Sequence, residues 1–251
     1  MILDMNLSWG HWPFQYFGFP NLPDMIHFLE KAGIRGGLVR SAEAAFAPDL
    51  ELCNRKLFED LKGADAFIPV PAVSPFYSEW KALCDSSKAS VCAIFPGYHG
   101  YSVLSDEFAA LAETFEKKNR TLLIVVRQED ERAQNKLCRI PAVPIDEINA
   151  LGKRHPGLRI ICVNCYFGEL QPLLKDTPNI FADIAFVETL NTLDTVIEKI
   201  GCQQIVFGSH TPFLYTEAAL RKLRDSSADK KVMDSIAFQN AKRIVNYWIH
   251  L

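Results

Sequence analysis

Residues 121–126 read TLLIVV, an unbroken apolar run between Arg120 and Arg127. It is far too short for a membrane-spanning helix, which takes about 20 residues, and is typical of a strand buried on both faces. Seven similar runs occupy 1–7, 36–40, 66–70, 90–95, 158–163, 180–184 and 204–207. Amphipathic stretches with helical spacing lie between them. The pattern predicts an α/β protein, a (β/α)8 TIM-like barrel that closes eight parallel strands.

Composition limits both the architecture and the partners. The chain has 251 residues, 49% of them hydrophobic, and a net charge of -3. A (β/α)8 barrel takes about 250 residues, so we expect one domain over residues 1–251. The charge gives no basic surface for nucleic acid, and the N-terminus lacks a signal-peptide pattern. We expect a cytoplasmic protein that binds a small molecule and neither nucleic acid nor membrane; a homo-oligomer is left open.

The cysteines predict reduced thiols. There are seven, an odd number without paired spacing. Cys162 and Cys165 form a C-x-x-C pattern, which elsewhere marks redox or zinc chemistry. Because alternation along a strand sends these two side chains to opposite faces, we interpret them as core residues.

Polar residues cluster where the predicted strands end. In a barrel of this kind, reactive side chains project from the C-terminal ends of the strands. The candidate site residues at these ends are Asn6, Ser8, His11, His99, Arg127, Glu129, Asn164, Asp183 and His210. His210 and His99 are candidates for proton transfer because imidazole titrates near neutral pH. The other seven are candidates for binding the substrate. Arg40 also follows a strand, but the pattern gives it no role.

Arg127 is the candidate that would bind an anion. It stands two residues after Val125, so strand alternation predicts that both face the barrel interior. An inward guanidinium suits a carboxylate or phosphate of a substrate. The alternative is an ion pair with Glu129 or Asp183 at the rim of the barrel. The sequence leaves the two interpretations open.

Several short motifs follow one another at the predicted strand ends. They are DMNLSWG at 4–10, GHWPF at 10–14, FPGYHG at 95–100, RQED at 127–130, FGSHTP at 207–212 and QNAKR at 239–243. In their order and placement the chain resembles the amidohydrolase-related group of barrel hydrolases, which is similar to amidohydrolase family 2. The resemblance covers nearly the whole length and implies a metal-dependent hydrolase fold.

The resemblance also implies positions for metal ligands. Members of that group bind one or two divalent metals through a His-x-His on strand one, a His on strands five and six, and an Asp on strand eight. The matching positions here are Asn6, Ser8, Val125, Asn164 and His210. Amide and hydroxyl oxygens are poor zinc ligands, and valine offers no donor. We therefore expect no cofactor. The alternative is a transition metal at a rebuilt site, made of His11, His99, Glu129, Asp183 and His210.

Three functions compete at this point. We expect a small-molecule hydrolase, such as a lactonase, or a lyase that acts on a carboxylate-bearing substrate without the usual metal pair. His210 or His99 would be its base. The first alternative is a catalytically inactive ligand-binding or regulatory protein, favoured by the loss of the strand-eight Asp. The second is a metal-dependent hydrolase with a relocated site. The fold cannot decide among them.

Overall fold

The computed structural model describes residues 1–85 and 89–245. Its strands are β1 (Ile2–Trp9), β2 (Ile34–Ser41), β3 (Phe67–Val70), β4 (Val91–Ile94), β5 (Thr121–Val125), β6 (Arg159–Val163), β7 (Ile180–Asp183) and β8 (Ile205–Val206). Each strand coincides with one of the eight predicted apolar runs, so the predicted strand order is confirmed.

Helices connect the strands. They are α1 (Leu22–Lys31), α2 (Leu50–Asp60), α3 (Glu79–Asp85), α4 (Pro96–His99), α5 (Asp106–Lys117), α6 (Ile145–Arg154), α7 (Phe167–Leu174), α8 (Thr192–Lys199), α9 (Thr216–Arg224), α10 (Lys230–Asp234) and α11 (Asn240–Ile244). A 3-10 turn covers Glu43–Ala45, and a π-helical turn at Ser235–Gln239 joins α10 to α11. Within the described ranges, no helix is long and apolar enough to cross a bilayer.

The strands close into a barrel. All pairs of neighbouring strands are parallel, in the orders β1-β2-β3 and β4-β5-β6-β7-β8. Ala72 and Ala93 join the two groups on one side, where the N–H of Val73 donates to the carbonyl of Ala93 at 2.9 Å. On the other side the N–H of Met5 donates to the carbonyl of Phe207 at 2.9 Å. The (β/α)8 barrel expected from the sequence is confirmed.

Strand alternation divides the core into two apolar layers. The layer inside the barrel includes Leu3, Met5, Leu38, Val125 and Ile161. The layer between strands and helices is larger and includes Leu7, Ile124, Ile160 and Phe207. Val125 therefore has the inward orientation predicted for it. The barrel interior is filled with side chains, so polar chemistry is confined to the strand ends.

The sequence also predicts two segments outside the barrel: a long loop at 128–144, and a closing helix at 231–251 with Ile236, Ile244, Val245 and Trp248 as its buried stripe. Residues 126–144 contain neither helix nor strand, as expected for a long loop after β5. The helical closing segment runs to Ile244, with Ile236, Ile244 and Val245 buried as predicted. Trp248, predicted for the same buried stripe, lies outside the described residues. All seven cysteines are free, and Cys162 and Cys165 are both buried.

Candidate active site at the strand ends

The ends of β1, β6 and β7 meet in one hydrogen-bond network. The side-chain amide of Asn6 donates to Oδ1 of Asn164 at 2.7 Å and to Oδ2 of Asp183 at 2.5 Å. The backbone N–H of Asn164 donates to Oδ1 of Asp183 at 2.9 Å. All three side chains are fully buried. Three residues selected because they stand at strand ends are thus brought into direct contact.

Arg40, at the end of β2, places a positive charge in this network. Its Nη1 donates to Oδ1 of Asn6 at 2.7 Å, and its Nη2 donates to Oε1 of Gln128 at 3.3 Å. Nη2 also lies 3.4 Å from Nδ1 of His210. Arg40 is 1% exposed, and burial lowers its pKa to about 10. Among the described residues, no carboxylate forms an ion pair with it, although Asp183 and Asp4 favour its charge from farther away.

His210 is held as a neutral imidazole. Its Nε2 lies 2.8 Å from the carbonyl oxygen of Gln128, which can only accept, so Nε2 carries the proton and Nδ1 has the lone pair. Burial, assisted by the positive charge of Arg40, lowers the pKa of His210 well below its ordinary value. The ring stacks on Phe213 with centroids 4.7 Å apart. The lone pair of Nδ1 faces Nη2 of Arg40 at 3.4 Å and lies 3.3 Å from Oδ1 of Asn6, so a ligand must displace these contacts to reach it.

Two buried carboxyl groups complete the cluster. Oδ1 of Asp4 accepts hydrogen bonds from the backbone N–H groups of Asn6 at 2.9 Å and Ser209 at 3.1 Å. Burial raises the pKa of Asp4 to about 6 and also raises the pKa of Asp183. A Cβ on Gly208 would overlap Oδ2 of Asp183 and lie 2.9 Å from Cβ of Asn6. The carboxyl groups are thus packed tightly and titrate closer to neutral pH than exposed ones.

We call this set the strand-end cluster: Asp4, Asn6, Ser8, Arg40, Gln128, Asn164, Asp183 and His210. Four of its polar atoms are buried and lack a hydrogen-bond partner, namely Asp4 Oδ2, Ser8 Oγ, Arg40 Nε and Gln128 Nε2. An unsatisfied buried polar group costs about 1 to 3 kcal/mol, and such groups are rare in folded proteins. Asn164 and His210 also have positive φ values, 67° and 56°, which concentrate at functional sites. The cluster has the properties of a binding site.

The structure corrects the role expected for Arg127. Its Nη1 donates to the carbonyl of Asn164 and to Glu169, both at 2.7 Å, and its Nη2 also contacts Glu169. Its Nε donates to Glu131 at 3.4 Å, and the guanidinium lies 3.9 Å from the ring centroid of Tyr166. Arg127 does form ion pairs, as the alternative interpretation predicted, but its partners are Glu169 and Glu131 rather than Glu129 or Asp183. With these contacts made, Arg127 is not available to hold the carboxylate of a substrate.

Three other predicted site residues lie apart from the strand-end cluster. His99 is on α4, where Nε2 is 2.9 Å from the carbonyl of Ala44, and within the described ranges no hydrogen bond joins it to His210. Oε1 of Glu129 accepts a hydrogen bond from Nε1 of Trp12 at 2.9 Å. His11 is exposed and lines a separate cavity. The structure does not bring His99 and His210 together as a pair of catalytic residues.

Aromatic rings extend outward from the cluster. Phe213, which stacks on His210, is 5.1 Å from Trp12, measured between ring centroids. Trp12 is in turn 5.2 Å from Phe46, and Phe46 is 5.0 Å from Tyr98. These four rings, the aromatic layer, come from the segments that follow β1, β2, β4 and β8, with Tyr98 on α4. A polar cluster is therefore bordered by surfaces suited to a planar apolar ligand.

Comparison with solved structures identifies the fold. The chain superposes on 5-carboxyvanillate decarboxylase from Sphingomonas paucimobilis with a TM-score of 0.73, 14% identity and 98% of each chain covered. A dihydroxybenzoic acid decarboxylase from Polaromonas gives 0.73, 13% identity, and 100% and 98% coverage. A probable 2-pyrone-4,6-dicarboxylic acid hydrolase from Acinetobacter baumannii gives 0.68, 10% identity, and 97% and 98% coverage.

The chain shares its barrel fold with these proteins and with a solved amidohydrolase II. The resemblance inferred from the sequence motifs is confirmed at this level. No family model and no curated protein matches the chain by sequence. At 10 to 14% identity, the solved structures establish the fold and leave the reaction open.

The comparisons also correct the expectation about cofactors. The Polaromonas decarboxylase was crystallised with bound manganese, which contradicts the expectation of no cofactor. In this chain, however, no three His, Cys, Asp or Glu side chains within the described ranges come together in a metal-binding group. The guanidinium of Arg40 contacts Asn6 and His210, at the positions where ligands were sought. These side chains do not fit a manganese ion held by the protein.

Proposed function

We propose that the protein is an enzyme that acts on a small carboxylate-bearing molecule, by hydrolysis or by decarboxylation, at the strand-end cluster. The unsatisfied buried polar atoms of this cluster, at the C-terminal end of the barrel, carry the proposal. Similar solved structures include decarboxylases of aromatic acids and a probable hydrolase of a pyrone dicarboxylic acid. They support a substrate that combines a ring with a carboxylate.

Arg40 is the residue proposed to hold the carboxylate. It is a buried cation without a carboxylate ion pair among the described residues, and its Nε has no hydrogen-bond partner. A carboxylate at Nε would supply both a hydrogen bond and a counter-charge. The aromatic layer would then contact the ring of the same substrate. Substrate binding would satisfy the cluster from both its charged and its apolar side.

The same cluster contains groups that can move a proton. For hydrolysis, Nδ1 of His210 has the lone pair needed to take a proton from water. Burial and the charge of Arg40 lower the pKa of His210, so this role requires that the substrate carboxylate neutralise Arg40. For decarboxylation, the protonated carboxyl of Asp4 can give a proton to the carbon that loses CO2. Burial raises the pKa of Asp4 to about 6, so a fraction of this carboxyl is protonated near neutral pH. Both roles require that the substrate reach atoms that are now buried.

An assay of two compound classes tests the proposal. Purified protein is incubated with aromatic hydroxy-acids, read by CO2 release, and with carboxylated lactones, read by ring opening. Each assay is run with and without added Mn²⁺, and the metal content of the purified protein is measured, because a similar solved structure contains manganese. We expect turnover in one class, and His210→Asn should lower kcat by about 10² to 10⁴ if the reaction is hydrolysis.

Arg40→Met tests the carboxylate site. We expect kcat/KM to fall by about 10² to 10³, the effect of removing one partner of a buried charge-assisted hydrogen bond. Arg159→Met is the matched control because Arg159 starts β6 at the opposite end of the barrel and donates to Thr121 and Asn119. Equal losses in the two variants would contradict the proposal. Absence of turnover in every assay, with ligand binding unchanged in His210→Asn, would favour the binding-protein alternative.

A further inference from the structure

The strand-end cluster is closed to solvent, although it has the properties of a binding site. Asn6, Arg40, Asn164, Asp183 and His210 are each at most 1% exposed. Five surface cavities in the described part of the chain are lined by residues other than these. A ligand can therefore reach the cluster only if a covering segment moves.

One covering segment has the features of a lid. Residues 10–18, with the sequence GHWPFQYFG, connect β1 toward α1 and begin and end with glycine. Gly10 and Gly18 have φ values of 108° and 76°, a region open mainly to glycine. Between them, Phe14 is 44% exposed and Tyr16 is 84% exposed. Glycines at both ends can act as hinges because they absorb large changes in backbone dihedrals.

Trp12 anchors this segment. It is 1% exposed while its neighbours His11 and Pro13 are exposed. Its ring belongs to the aromatic layer, 5.1 Å from Phe213, which in turn stacks on His210. The indole N–H donates to Oε1 of Glu129 at 2.9 Å. Phe17 of the same segment also packs on Phe213, with ring centroids 4.6 Å apart. Two aromatic side chains thus join this segment to the ring that covers the cluster.

A cavity lies beside Trp12. It measures about 390 Å³ and is lined by Trp12 together with His11, Glu43, Lys56 and Asp60. The backbone N–H of His11 donates to Oε1 of Glu43 at 3.2 Å at the edge of this cavity. Trp12 therefore both lines an open cavity and contacts Phe213, the ring that stacks on His210.

We propose that residues 10–18 are the lid of the strand-end cluster, with Gly10 and Gly18 as hinges, Trp12 as the gate and its hydrogen bond to Glu129 as the latch. A role of this lid in catalysis rests on the proposed function, whereas the opening of the segment does not. Opening would admit a ligand through the cavity beside His11, and closure would exclude water from Arg40 and His210. Trp12 then limits the size of ligand that can enter.

Solvent exposure of Trp12 tests the lid without any substrate. The protein is labelled with 5-fluorotryptophan, and the Trp12 resonance is assigned by its loss in Trp12→Phe. Line broadening by TEMPOL, a neutral soluble nitroxide, reports how often the ring reaches solvent. In Glu129→Leu we expect broadening to rise about tenfold, because a hydrogen bond to a carboxylate is lost. In Glu129→Gln it should stay within about twofold, because the amide oxygen still accepts.

Two glycine variants test the hinge with matched backbone strain. Gly18 and Gly33 both have positive φ, and a Cβ on either would meet no atom within 4 Å. Gly33 lies between α1 and β2, outside the lid. Gly18→Ala should raise Trp12 broadening about fivefold because alanine disfavours the closed dihedrals, whereas Gly33→Ala should leave it within about twofold.

The outcomes separate the lid from the proposed function. Equal Trp12 broadening in Glu129→Leu and the wild type would overturn the latch. Equal increases in Gly18→Ala and Gly33→Ala would overturn the lid, because they would indicate general loosening of the fold. If the labelled variants behave as expected while no carboxylate compound is turned over, the lid stands and the proposed reaction fails.

Discussion

Arg40 lies at the end of β2 and Arg127 lies just after β5, and both are buried, yet their surroundings differ. Arg127 contacts two carboxylates, Glu169 and Glu131, and stacks on Tyr166. Burial alone would lower the pKa of Arg127, but the hydrogen bonds and charge of Glu169 raise it overall. Arg40 contacts amide oxygens and an imidazole, and burial lowers its pKa to about 10. Arg127 is thus paired with acidic side chains of the protein, whereas Arg40 has no such pair and its Nε has no hydrogen-bond partner among the described residues.

The comparison shows which property of a buried charge indicates a binding role. Burial by itself does not, because both arginines have it. A complete set of protein partners indicates a structural role, since these partners already compensate the cost of removing the charge from water. An incomplete set, as at Nε of Arg40, leaves part of that cost uncompensated, and a bound ligand can supply the missing hydrogen bond.

Arg127→Met should have the largest effect on stability. Removing the guanidinium leaves Glu169 without its partner, and breaking such a buried pair typically lowers the free energy of unfolding by about 3 to 5 kcal/mol. Urea denaturation at pH 7 measures it. The double variant Arg127→Met/Glu169→Gln should recover part of the loss because the orphan charge is gone. A loss below about 1 kcal/mol in the single variant would show that Arg127 is not the structural residue of the two.

Asp4→Asn should stabilise the protein at pH 7 by about 2 to 3 kcal/mol. The pKa of Asp4 is raised from 3.8 to about 6 by burial, so the folded state holds the proton more tightly than the unfolded state. Wild-type stability should therefore fall as the pH rises from about 4 to about 6 and then level off. Asparagine can accept the same backbone hydrogen bonds without this dependence. Unfolding free energies at intervals from pH 4 to 7 check it, and equal slopes in both proteins would contradict the assignment.

Glu131→Gln should have the smallest effect, within about 0.5 kcal/mol. The Glu131 side chain is 50% exposed and lies 3.4 Å from Nε of Arg127, and exposed ion pairs contribute about 0 to 1 kcal/mol. The same urea measurement applies. A loss above about 1 kcal/mol would mean that Arg127 depends on both acidic partners rather than mainly on Glu169.

The barrel and part of the site follow from local sequence patterns. Continuous apolar runs predict strands because parallel strands are buried on both faces, and all eight runs became strands. The contact among Asn6, Asn164 and Asp183 follows from the same order, since the ends of parallel strands meet at one end of the barrel. The fold, and the meeting of these side chains at one end of the barrel, can therefore be predicted from a single sequence.

The side chains that contact Arg40 and Arg127 cannot be predicted in this way. Strand alternation predicted an inward Arg127, but β5 ends at Val125, and beyond a strand the period of two no longer applies. Its partner Glu169 lies in the first turn of α7, where its side chain also accepts from the backbone N–H of Tyr166 at 2.7 Å. The sequence pattern gave Arg40 no role, because only the folded structure shows that no carboxylate pairs with it among the described residues. Burial of His210 likewise depends on Phe213 stacking over it.

Gly208 has a consequence for redesign of the protein. Its backbone does not need glycine for a positive φ; glycine is needed there because Asp183 and Asn6 occupy the space of a side chain. Glycine is thus required at position 208 because β1 and β7 leave no room there for a side chain, and not because the chain turns at this point. A saturation library at this codon should yield glycine almost exclusively among well-folded clones. Shortening Asp183 would not restore tolerance, because Cβ of Asp183 at 2.8 Å and Cβ of Asn6 at 2.9 Å would still meet the new side chain.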